Sequence, residues 1–444
     1  MATVAITSLG CPRNLVDSEI ILGSLKKSGF KVVDIAKGAD VFIVNTCAFV
    51  ESARKESVDM ILEAAYLKSK GRIKHIVICG CLPQLYKGEL LKELPEADAI
   101  IGPGDIPRVA DIIRGLGKGV RRSAVSDRPT YIYDERSPRL VLTPRHYAYV
   151  KISEGCDNLC SYCIIPRLRG RSRSRPMGSV LKEIDGLSAG GRLKEVNIIG
   201  QDTTAYGIDL YGKRRLPALL KKICALSNSV RWVRLLYTHP AHYTDEFIKT
   251  VRREDKVCKY LDFPVQHISD RILKRMNRRS TKRHITGIIE KLRKCIPGLV
   301  LRTSIIVGFP GETDREFREL LDFVRKTRFE RLGAFIYSQE EGTAAAAYKN
   351  QVPAKIKNER FDEIMKAQQA VSRDLNASLL GKAVDVLIDE KAGGEKARFL
   401  GRTQGDAPEV DGLVHVTGKD LKIGGFYKVK ITDTLEYDLA GETV

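Results

Sequence analysis

Short apolar runs alternate with stretches of helical periodicity from residue 147 onward, and this alternation constrains the fold more than any other feature of the sequence. Repeated strand–helix units build a parallel sheet with helices outside it, and six units are two short of a closed eight-stranded barrel. We therefore predict an α/β fold with a partial barrel whose working face lies at the carboxyl ends of the strands. The predicted strands are 148–152, 195–199, 232–236, 260–263, 300–307 and 332–336, and helical patterns include 179–187, 281–294 and 314–326.

The first third of the chain shows the same alternation. Apolar runs at 4–8, 41–45 and 76–79 read as buried strands, and 17–28 and 52–68 read as helices between them. This pattern is typical of a doubly wound parallel sheet, in which ligands collect at the carboxyl ends of the strands.

The other segments differ in composition. Residues 114–144 are rich in Gly, Pro, Ser and Arg, and their weak periodicity predicts a linker. A helix is predicted at 354–380, and short alternating runs beyond Gly381 predict a small all-β barrel. A chain of 444 residues, with about 100–200 residues expected per domain, should hold roughly three domains.

Charge and cysteine content narrow the possible functions. The chain carries 75 Lys and Arg against 55 Asp and Glu, a net charge of +20 that favours a nucleic-acid or ribosome partner. We find no secretory signal and no apolar run long enough to span a membrane, so we expect a cytoplasmic protein without a membrane partner. In a reducing compartment, ten cysteines indicate metal or redox chemistry better than disulfides.

Three cysteines form the sharpest local motif. Cys156, Cys160 and Cys163 occupy a Cys-x3-Cys-x2-Cys loop just after the first strand of the partial barrel. Three thiolates on one short loop can hold a four-iron cluster whose fourth iron stays open. A zinc site is the alternative, but structural zinc normally has four ligands at paired spacings, and the nearest extra candidate, His146, lies beyond a predicted strand.

Three more cysteines follow the first three amino-terminal strands. Cys11, Cys47 and Cys81 each come at the carboxyl end of a predicted parallel strand, so they should converge. We predict a second cluster site there, although a cysteine at a strand end is often only a small buried apolar residue. Cys79 alternates with Cys81 on the same strand end and could be mistaken for the ligand, and the remaining cysteines fit core positions.

The loop cysteines are accompanied by Tyr162, just before the last of them, and by six strand–helix units. In these features the chain resembles the radical S-adenosylmethionine (SAM) enzymes. With the amino-terminal cysteines and the terminal β-barrel, the chain resembles the methylthiotransferase family of radical SAM enzymes. The resemblance implies two [4Fe-4S] clusters on the six cysteines, with SAM at the loop cluster. It also implies a cluster-binding domain at 1–118, a linker at 119–141, a radical SAM core at 142–372 and a TRAM β-barrel at 373–444.

Two branches of this family act on different substrates. Four stretches, at 10–19, 201–207, 337–343 and 406–412, resemble the branch that modifies an aspartate of the twelfth small-subunit ribosomal protein. The branch that modifies an adenosine of transfer RNA typically has Gln-Met-Asn after its first cysteine and Gln-Asn-Val after the second barrel strand, and neither occurs here. Transfer-RNA modification stays open as an alternative, as does a non-catalytic, metal-stabilised ribosome- or RNA-binding module.

Charge within the terminal domain gives an independent argument. Residues 381–444 contain nine Lys and Arg but twelve Asp and Glu. A barrel that binds RNA should be basic, whereas an acidic barrel suits a basic ribosomal protein. An ordinary solvated surface is the alternative. We also expect an electron donor that the sequence does not identify.

As the resemblance implies, one SAM methylates a sulfide associated with the first cluster. Another is cleaved to a deoxyadenosyl radical, which abstracts hydrogen from the β-carbon of the aspartate so that the carbon can couple with the methylated sulfur. Five arginines between Arg167 and Arg175 should border the site and could hold a carboxylate. His267 fits a hydrogen-bonded strand end better than a metal ligand. The predicted SAM contacts are Tyr162, Gln201, Asp202, Gln266, Gly308 and Glu312.

Overall fold

The computed structural model describes residues 1–117, 120–393 and 398–444. Along the chain it places a six-stranded parallel sheet flanked by helices, then an open six-stranded parallel sheet, then a closed five-stranded β-barrel. These three units confirm the predicted α/β architecture with a terminal all-β barrel.

The amino-terminal unit is a doubly wound sheet with the strand order β2-β1-β3-β4-β5-β6. Alternate residues of its central strands face two apolar cores, with Val41 and Ile43 on one side and Phe42 and Val44 on the other. Its strands are β1 (Thr3–Ser8), β2 (Lys31–Val32), β3 (Ala39–Thr46), β4 (Ile73–Gly80), β5 (Ala99–Ile101) and β6 (Arg122–Ala124). Its helices are α1 (Pro12–Lys27), α2 (Glu51–Ser69), α3 (Cys81–Tyr86), α4 (Gly88–Glu93) and α5 (Val109–Arg114).

The segment predicted as a linker is more ordered than its composition indicates. β6 lies inside it and pairs in parallel with β5. Farther along, Arg139 contacts Glu19 of the first unit at 2.6 Å and Glu183 of the second unit at 2.5 Å. A three-residue strand is too short to show periodicity, and an arginine buried by distant carboxylates leaves no local signal. The role of this segment as a linker stays a prediction.

The second unit is an open sheet with the order β14-β13-β12-β11-β10-β7, and its strands match all six predicted runs. Its strands are β7 (Tyr147–Lys151), β10 (Glu195–Ile199), β11 (Trp232–Leu235), β12 (Val257–Asp262), β13 (Val300–Val307) and β14 (Arg331–Ile336), with a separate antiparallel pair of β8 (Ser153–Glu154) and β9 (Arg173–Ser174). Its helices are α6 (Ile165–Arg169), α7 (Met177–Ser188), α8 (Ile208–Tyr211), α9 (Leu216–Cys224), α10 (Asp245–Arg253), α11 (Asp270–Arg275), α12 (Lys282–Cys295) and α13 (Asp314–Thr327).

Helix α14 (Ala354–Ala377) packs against β14 and leads into the terminal barrel. The predicted domain boundary at 373 falls inside this helix, four residues before its last residue. No helix of the described residues is long and apolar enough to cross a membrane. The barrel strands are β15 (Ala383–Lys391), β16 (Arg398–Arg402), β17 (Val414–Thr417), β18 (Phe426–Thr434) and β19 (Leu439–Thr443).

The two outer units cover opposite ends of the open sheet. The amino-terminal unit meets the carboxyl ends of the strands, where Arg13 donates to the carbonyl of Gly200 just after β10. The terminal barrel meets the amino ends, where Arg402 pairs with Glu195, the first residue of β10, at 2.8 Å. The carboxyl ends of the strands, where parallel α/β folds bind their ligands, therefore face the amino-terminal unit.

Much of the acidic excess of the terminal barrel is directed at this inner contact. Asp406 pairs with Arg331 at 2.6 Å, and Asp411 lies 3.4 Å from Arg302. Asp389 lies 2.8 Å from His146. These three carboxylates belong to the packing of the barrel on the core, so they do not make its outer surface acidic.

Candidate active site between two cysteine trios

The amino-terminal trio of Cys11, Cys47 and Cys81 lies at one edge of the first sheet. Cys11 immediately precedes α1, Cys47 follows β3 and Cys81 begins α3. The ends of the three strands are level, since Ser8 pairs with Asn45 and Thr46 pairs with Gly80. The parallel sheet therefore brings together cysteines that are far apart in sequence, as predicted.

Polar side chains fix the loops that carry this trio. The amide nitrogen of Asn14 donates to the carbonyls of Leu9 and Thr46 at 3.0 and 2.8 Å. The hydroxyl of Ser57 accepts from the backbone nitrogen of Cys47 at 3.1 Å. Gly10 leaves the space that the Cys47 side chain occupies, because a Cβ on Gly10 would lie 2.8 Å from the sulfur.

Two arginines make the trio electropositive. Burial would raise the pKa of the Cys11 thiol, but the charges of Arg13 and Arg169 outweigh burial and lower it. Burial raises the pKa of Cys47 to about 12 and also raises the pKa of Cys81, where Arg169 opposes the rise. The thiolate is the form that binds iron, so Cys11 is the most readily ionised ligand of the trio.

The second trio lies on the loop that follows β8. Cys156 donates its backbone N–H to the carbonyl of Gly170 at 3.2 Å, and Cys163 donates to the carbonyl of Cys160 at 3.0 Å. Gly155 has a φ of +82°, and a Cβ there would lie 2.1 Å from the carbonyl oxygen of Arg171. Glycine before Cys156 is therefore a steric requirement of the loop.

Neighbouring elements hold this loop from two sides. Asn158 donates to the Asp202 carboxylate at 2.7 Å. The backbone nitrogen of Ser161 donates to the carbonyl of Met276 at 3.0 Å. The guanidinium of Arg278 lies 3.9 Å from the Cys160 sulfur. The strand ends of the open sheet thus set the position of the thiols.

Both trios fit a four-iron cluster. All six thiols are free, and within each trio the neighbouring thiols add to the rise of the pKa of Cys47 and of Cys163, which places them close together. The described residues contain no His, Cys, Asp and Glu group compact enough for a single metal ion.

A buried charge network joins the two trios. Lys151 and Arg169 share the carboxylates of Asp17 and Glu154, at distances from 2.5 to 3.4 Å. Asp17 belongs to α1, whereas Lys151 and Glu154 belong to β7 and β8 of the second unit. A buried network in which every charge is paired fixes one arrangement of the two units.

The five arginines predicted to border the site do not share one surface. Arg169 and Arg175 are 3% and 0% exposed, and Arg175 pairs with Glu183. Arg171 is exposed and lies 3.4 Å from Asp157. Alternating arginines usually indicate a solvated loop, and Asp17, which pairs with Arg169, is distant in sequence.

Two predicted SAM contacts already have protein partners on both carboxylate oxygens. Asp202 accepts from Thr204 and Ala205 with one oxygen, and with the other from Asn158. Glu312 accepts from the backbone of Gly308 and Phe309 with one oxygen and from Arg360 with the other. Their roles in SAM binding stay predictions, and the structure gives each of them a bracing function.

The other four predicted SAM contacts lie in different surroundings. The side-chain oxygen of Gln201 is buried and has no partner among the described residues, while its nitrogen donates to Glu154. Gln266 has a φ of +68°, a left-handed conformation that non-glycine residues adopt mainly at constrained sites. Tyr162 is half-buried beside the loop cysteines, and Gly308 donates its N–H to Glu312. His267 accepts from the backbone of Ser269, as expected of a strand-end histidine.

Sequence reasoning missed several residues of this site. Arg13 contacts the Cys11 sulfur, Asn14 fixes the first trio, and Lys151 and Arg278 supply charge. Arg13 and Asn14 lie within three residues of Cys11 and Lys151 ends β7, whereas Arg278 follows α11 and carries no local signal.

Comparison with known proteins agrees with this organisation. Residues 3–102 match the family described as "Uncharacterized protein family UPF0004", residues 150–324 match the radical SAM superfamily, and residues 380–444 match the TRAM domain. The ribosomal protein uS12 methylthiotransferase RimO of Geotalea uraniireducens is 49% identical over 444 residues, covering 99% of this chain and 98% of that protein. The chain belongs to the RimO family. A second RimO, from Desulforamulus reducens, is 46% identical over 443 residues, covering 100% of this chain and 99% of that protein.

Solved structures show the fold of this RimO-family chain in more distant proteins. The radical SAM methyltransferase TsrM of Kitasatospora setae has a TM-score of 0.56 at 16% identity, covering 76% of this chain and 72% of that one. The radical SAM enzyme OxsB has a TM-score of 0.53 at 13% identity, covering 82% of this chain and 56% of that one. The radical SAM match implies one [4Fe-4S] cluster and SAM.

Proposed function

We propose that this protein is a methylthiotransferase that places a methylthio group on the β-carbon of an aspartate in ribosomal protein uS12. The observation that carries the proposal is the convergence of two cysteine trios on one face between the first two units. Relatives named ribosomal protein uS12 methylthiotransferase RimO, 45% to 49% identical along the whole chain, support the choice of substrate.

Two [4Fe-4S] clusters fit the two trios. Cys156, Cys160 and Cys163 would hold the cluster that binds SAM, and the amino-terminal trio would hold the other. When bound, the loop cluster supplies the electron that cleaves SAM to a radical, and the other supplies the site of the sulfur that is transferred.

The residues of the chain position and enclose this chemistry. The Gln201 side-chain oxygen is free to accept a hydrogen bond from the ammonium of SAM. Asn158 and Asp202 hold the cysteine loop against the end of β10, so that SAM and thiols share one frame. The network of Asp17, Lys151 and Arg169 closes the boundary between the units and excludes water beside the first trio.

The docking surface for uS12, the electron donor and the cellular location are also proposals. The sequence predicts docking of a basic ribosomal protein on the terminal barrel. Three of the twelve acidic residues of that barrel and one of its nine basic residues, Arg402, are turned toward the core, which leaves nine acidic against eight basic residues in the rest of it. Charge therefore supports this docking site only weakly, whereas the electron donor and the cytoplasmic location rest on sequence alone.

Iron and sulfide analysis tests the cofactor assignment. We expect about eight iron atoms per chain in anaerobically reconstituted wild type and about four in the Cys156→Ala, Cys160→Ala, Cys163→Ala triple variant. Cys79→Ala is the matched control, since this buried thiol faces the apolar core and should not affect iron content. About four iron atoms in the wild type would contradict the second cluster.

A substrate assay tests the reaction. Reduced enzyme, SAM and either uS12 or unmodified transfer RNA are incubated, and mass spectrometry detects an added methylthio group. We expect product on uS12 and release of 5′-deoxyadenosine. Product only on transfer RNA would contradict the substrate, and failure to cleave SAM would favour a binding module.

A further inference from the structure

Two guanidinium groups at the site have no carboxylate within 4.0 Å in the described parts of the chain. They are Arg13, beside the first trio, and Arg278, beside the second. The other buried cations of the site, Lys151 and Arg169, are paired with carboxylates. A cation kept at an active site without a carboxylate partner is suited to bind an anionic ligand.

Arg13 is held in place by three contacts that leave much of its hydrogen-bonding capacity unused. Its Nε donates to the Cys11 sulfur at 3.4 Å, and its Nη1 donates to the Gly200 carbonyl at 2.9 Å. Its guanidinium also stacks on the Tyr237 ring, 4.1 Å from the centroid. An arginine has five N–H donors, so three remain for a ligand, including both on Nη2.

The aromatic platform under Arg13 is itself constrained. Tyr237 follows β11 with a φ of +58°, which is unfavourable for a tyrosine. Its backbone nitrogen donates to the Asp262 carboxylate at 2.8 Å, and its carbonyl accepts from Thr203 at 3.0 Å. The second unit thus fixes the ring that supports a side chain from the first unit.

Arg13 lies between the two trios. It contacts Cys11 directly, and its charge reaches Cys163 of the other trio, where it opposes the rise of the thiol pKa that burial causes. Gly200, which accepts from Arg13, immediately precedes Gln201 at the predicted SAM position. A substrate carbon that meets SAM on one side and the transferred sulfur on the other must occupy this same region.

We infer that Arg13 binds the side-chain carboxylate of the substrate aspartate. The inference rests on the proposed function. Because the carboxylate is bonded directly to the β-carbon, holding it fixes the carbon that loses hydrogen. A guanidinium stays charged at any working pH and grips a carboxylate with two parallel hydrogen bonds, so it selects aspartate over a neutral side chain of the same shape.

Arg278 lies on the barrel side of the cysteine loop. It is 9% exposed, and its Nη2 donates to the Pro264 carbonyl at 2.6 Å. Arg231 provides the matched control, because its guanidinium also stacks on an aromatic ring, 4.1 Å from the centroid of Phe426. It immediately precedes β11, at the amino ends of the strands, so Arg231→Gln removes the same charge and the same kind of aromatic contact at the end of the sheet opposite the trios.

A binding cycle tests the inference. The dissociation constants of uS12 and of uS12 with asparagine at the modified position are measured anaerobically with wild type, Arg13→Gln and Arg231→Gln, all loaded with SAM and without reductant. We expect wild type and Arg231→Gln to bind the aspartate form about 10- to 100-fold more tightly than the asparagine form. Arg13→Gln should bind both forms equally. Arg13→Lys keeps the charge but cannot make two parallel hydrogen bonds to a carboxylate, so its preference for the aspartate form should be reduced.

Each variant is scored only if it holds the same amount of iron as wild type, so that a change of preference does not come from a lost cluster. If wild type modifies uS12 but Arg13→Gln keeps the full preference for the aspartate form, the inference is overturned. If Arg13→Gln does not bind its clusters, Arg13→Lys replaces it, and a full preference for the aspartate form in Arg13→Lys overturns the inference. A wild type that neither binds nor modifies uS12 overturns the proposed function itself.

Discussion

Replacing Gly10 with alanine should remove the first cluster and leave the second intact. Gly10 has a φ of +85°, and an added Cβ would lie 2.6 Å from the Cys47 Cβ and 2.8 Å from its sulfur. Ordinary contacts begin near 3.4 Å, so Cys47 would have to move by nearly 1 Å. The left-handed backbone costs about 1–3 kcal/mol and the overlap about 1–3 kcal/mol more. The overlap, unlike the backbone strain, displaces Cys47, which we propose as a cluster ligand.

Gly29 offers a control in the same domain. Its φ is +90°, but an added Cβ meets no atom within 4 Å. Gly29→Ala therefore carries the backbone cost of Gly10→Ala without the overlap. Comparing the two variants separates general destabilisation of the domain from displacement of Cys47.

Iron content after anaerobic reconstitution is the decisive measurement. We expect about four iron atoms per chain in Gly10→Ala and about eight in Gly29→Ala. Cleavage of SAM without uS12 should persist in Gly10→Ala, since the second trio lies on another loop, while methylthio transfer is lost. Eight iron atoms and normal transfer in Gly10→Ala would refute the placement of Cys47 in the first cluster.

Two further predictions concern stability. Asp406→Asn removes the charge that pairs with Arg331 at the inner contact of the terminal barrel, so it should lower the free energy of unfolding by about 3–5 kcal/mol. Asp385→Asn breaks an exposed ion pair and should lower it by about 0–1 kcal/mol. Equal shifts of the two variants in thermal unfolding would contradict this difference. Burial lowers the pKa of His239 to about 2, so the neutral ring contributes stability above pH 6.5 that is lost as the pH falls below that value. The free energy of unfolding in urea should therefore fall more steeply between pH 6.5 and 5.5 in wild type than in His239→Asn, by up to about 1.4 kcal/mol, and parallel slopes would contradict the assignment.

The elements and the cysteine trios could be predicted because their signals are local or topological. Apolar periodicity marks β10 and β13 within the sequence, and parallel strands place their carboxyl ends at one edge of a sheet. Cys11, Cys47 and Cys81 could therefore be grouped without knowledge of any contact between them.

The charged part of the site could not be predicted in the same way. Whether an arginine is buried depends on carboxylates elsewhere in the chain, as Arg169 depends on Asp17 and Arg175 on Glu183. The number of acidic residues in the terminal barrel has the same weakness as a signal. It includes Asp406 and Asp411 but does not tell which surface they face. Nothing near Arg13 in the sequence indicates that Tyr237 supports it.

The position of Arg139 has a mechanical consequence. This residue belongs to the segment that connects the first two units, and it is clamped by a carboxylate from each of them, Glu19 and Glu183. A connection tied down in this way does not act as a hinge, so the spacing of the two trios is set when the chain folds and not by closure around a ligand. The flexibility needed to bring an aspartate between them must then come from the ribosomal protein, whose modified loop would have to thread into a rigid frame.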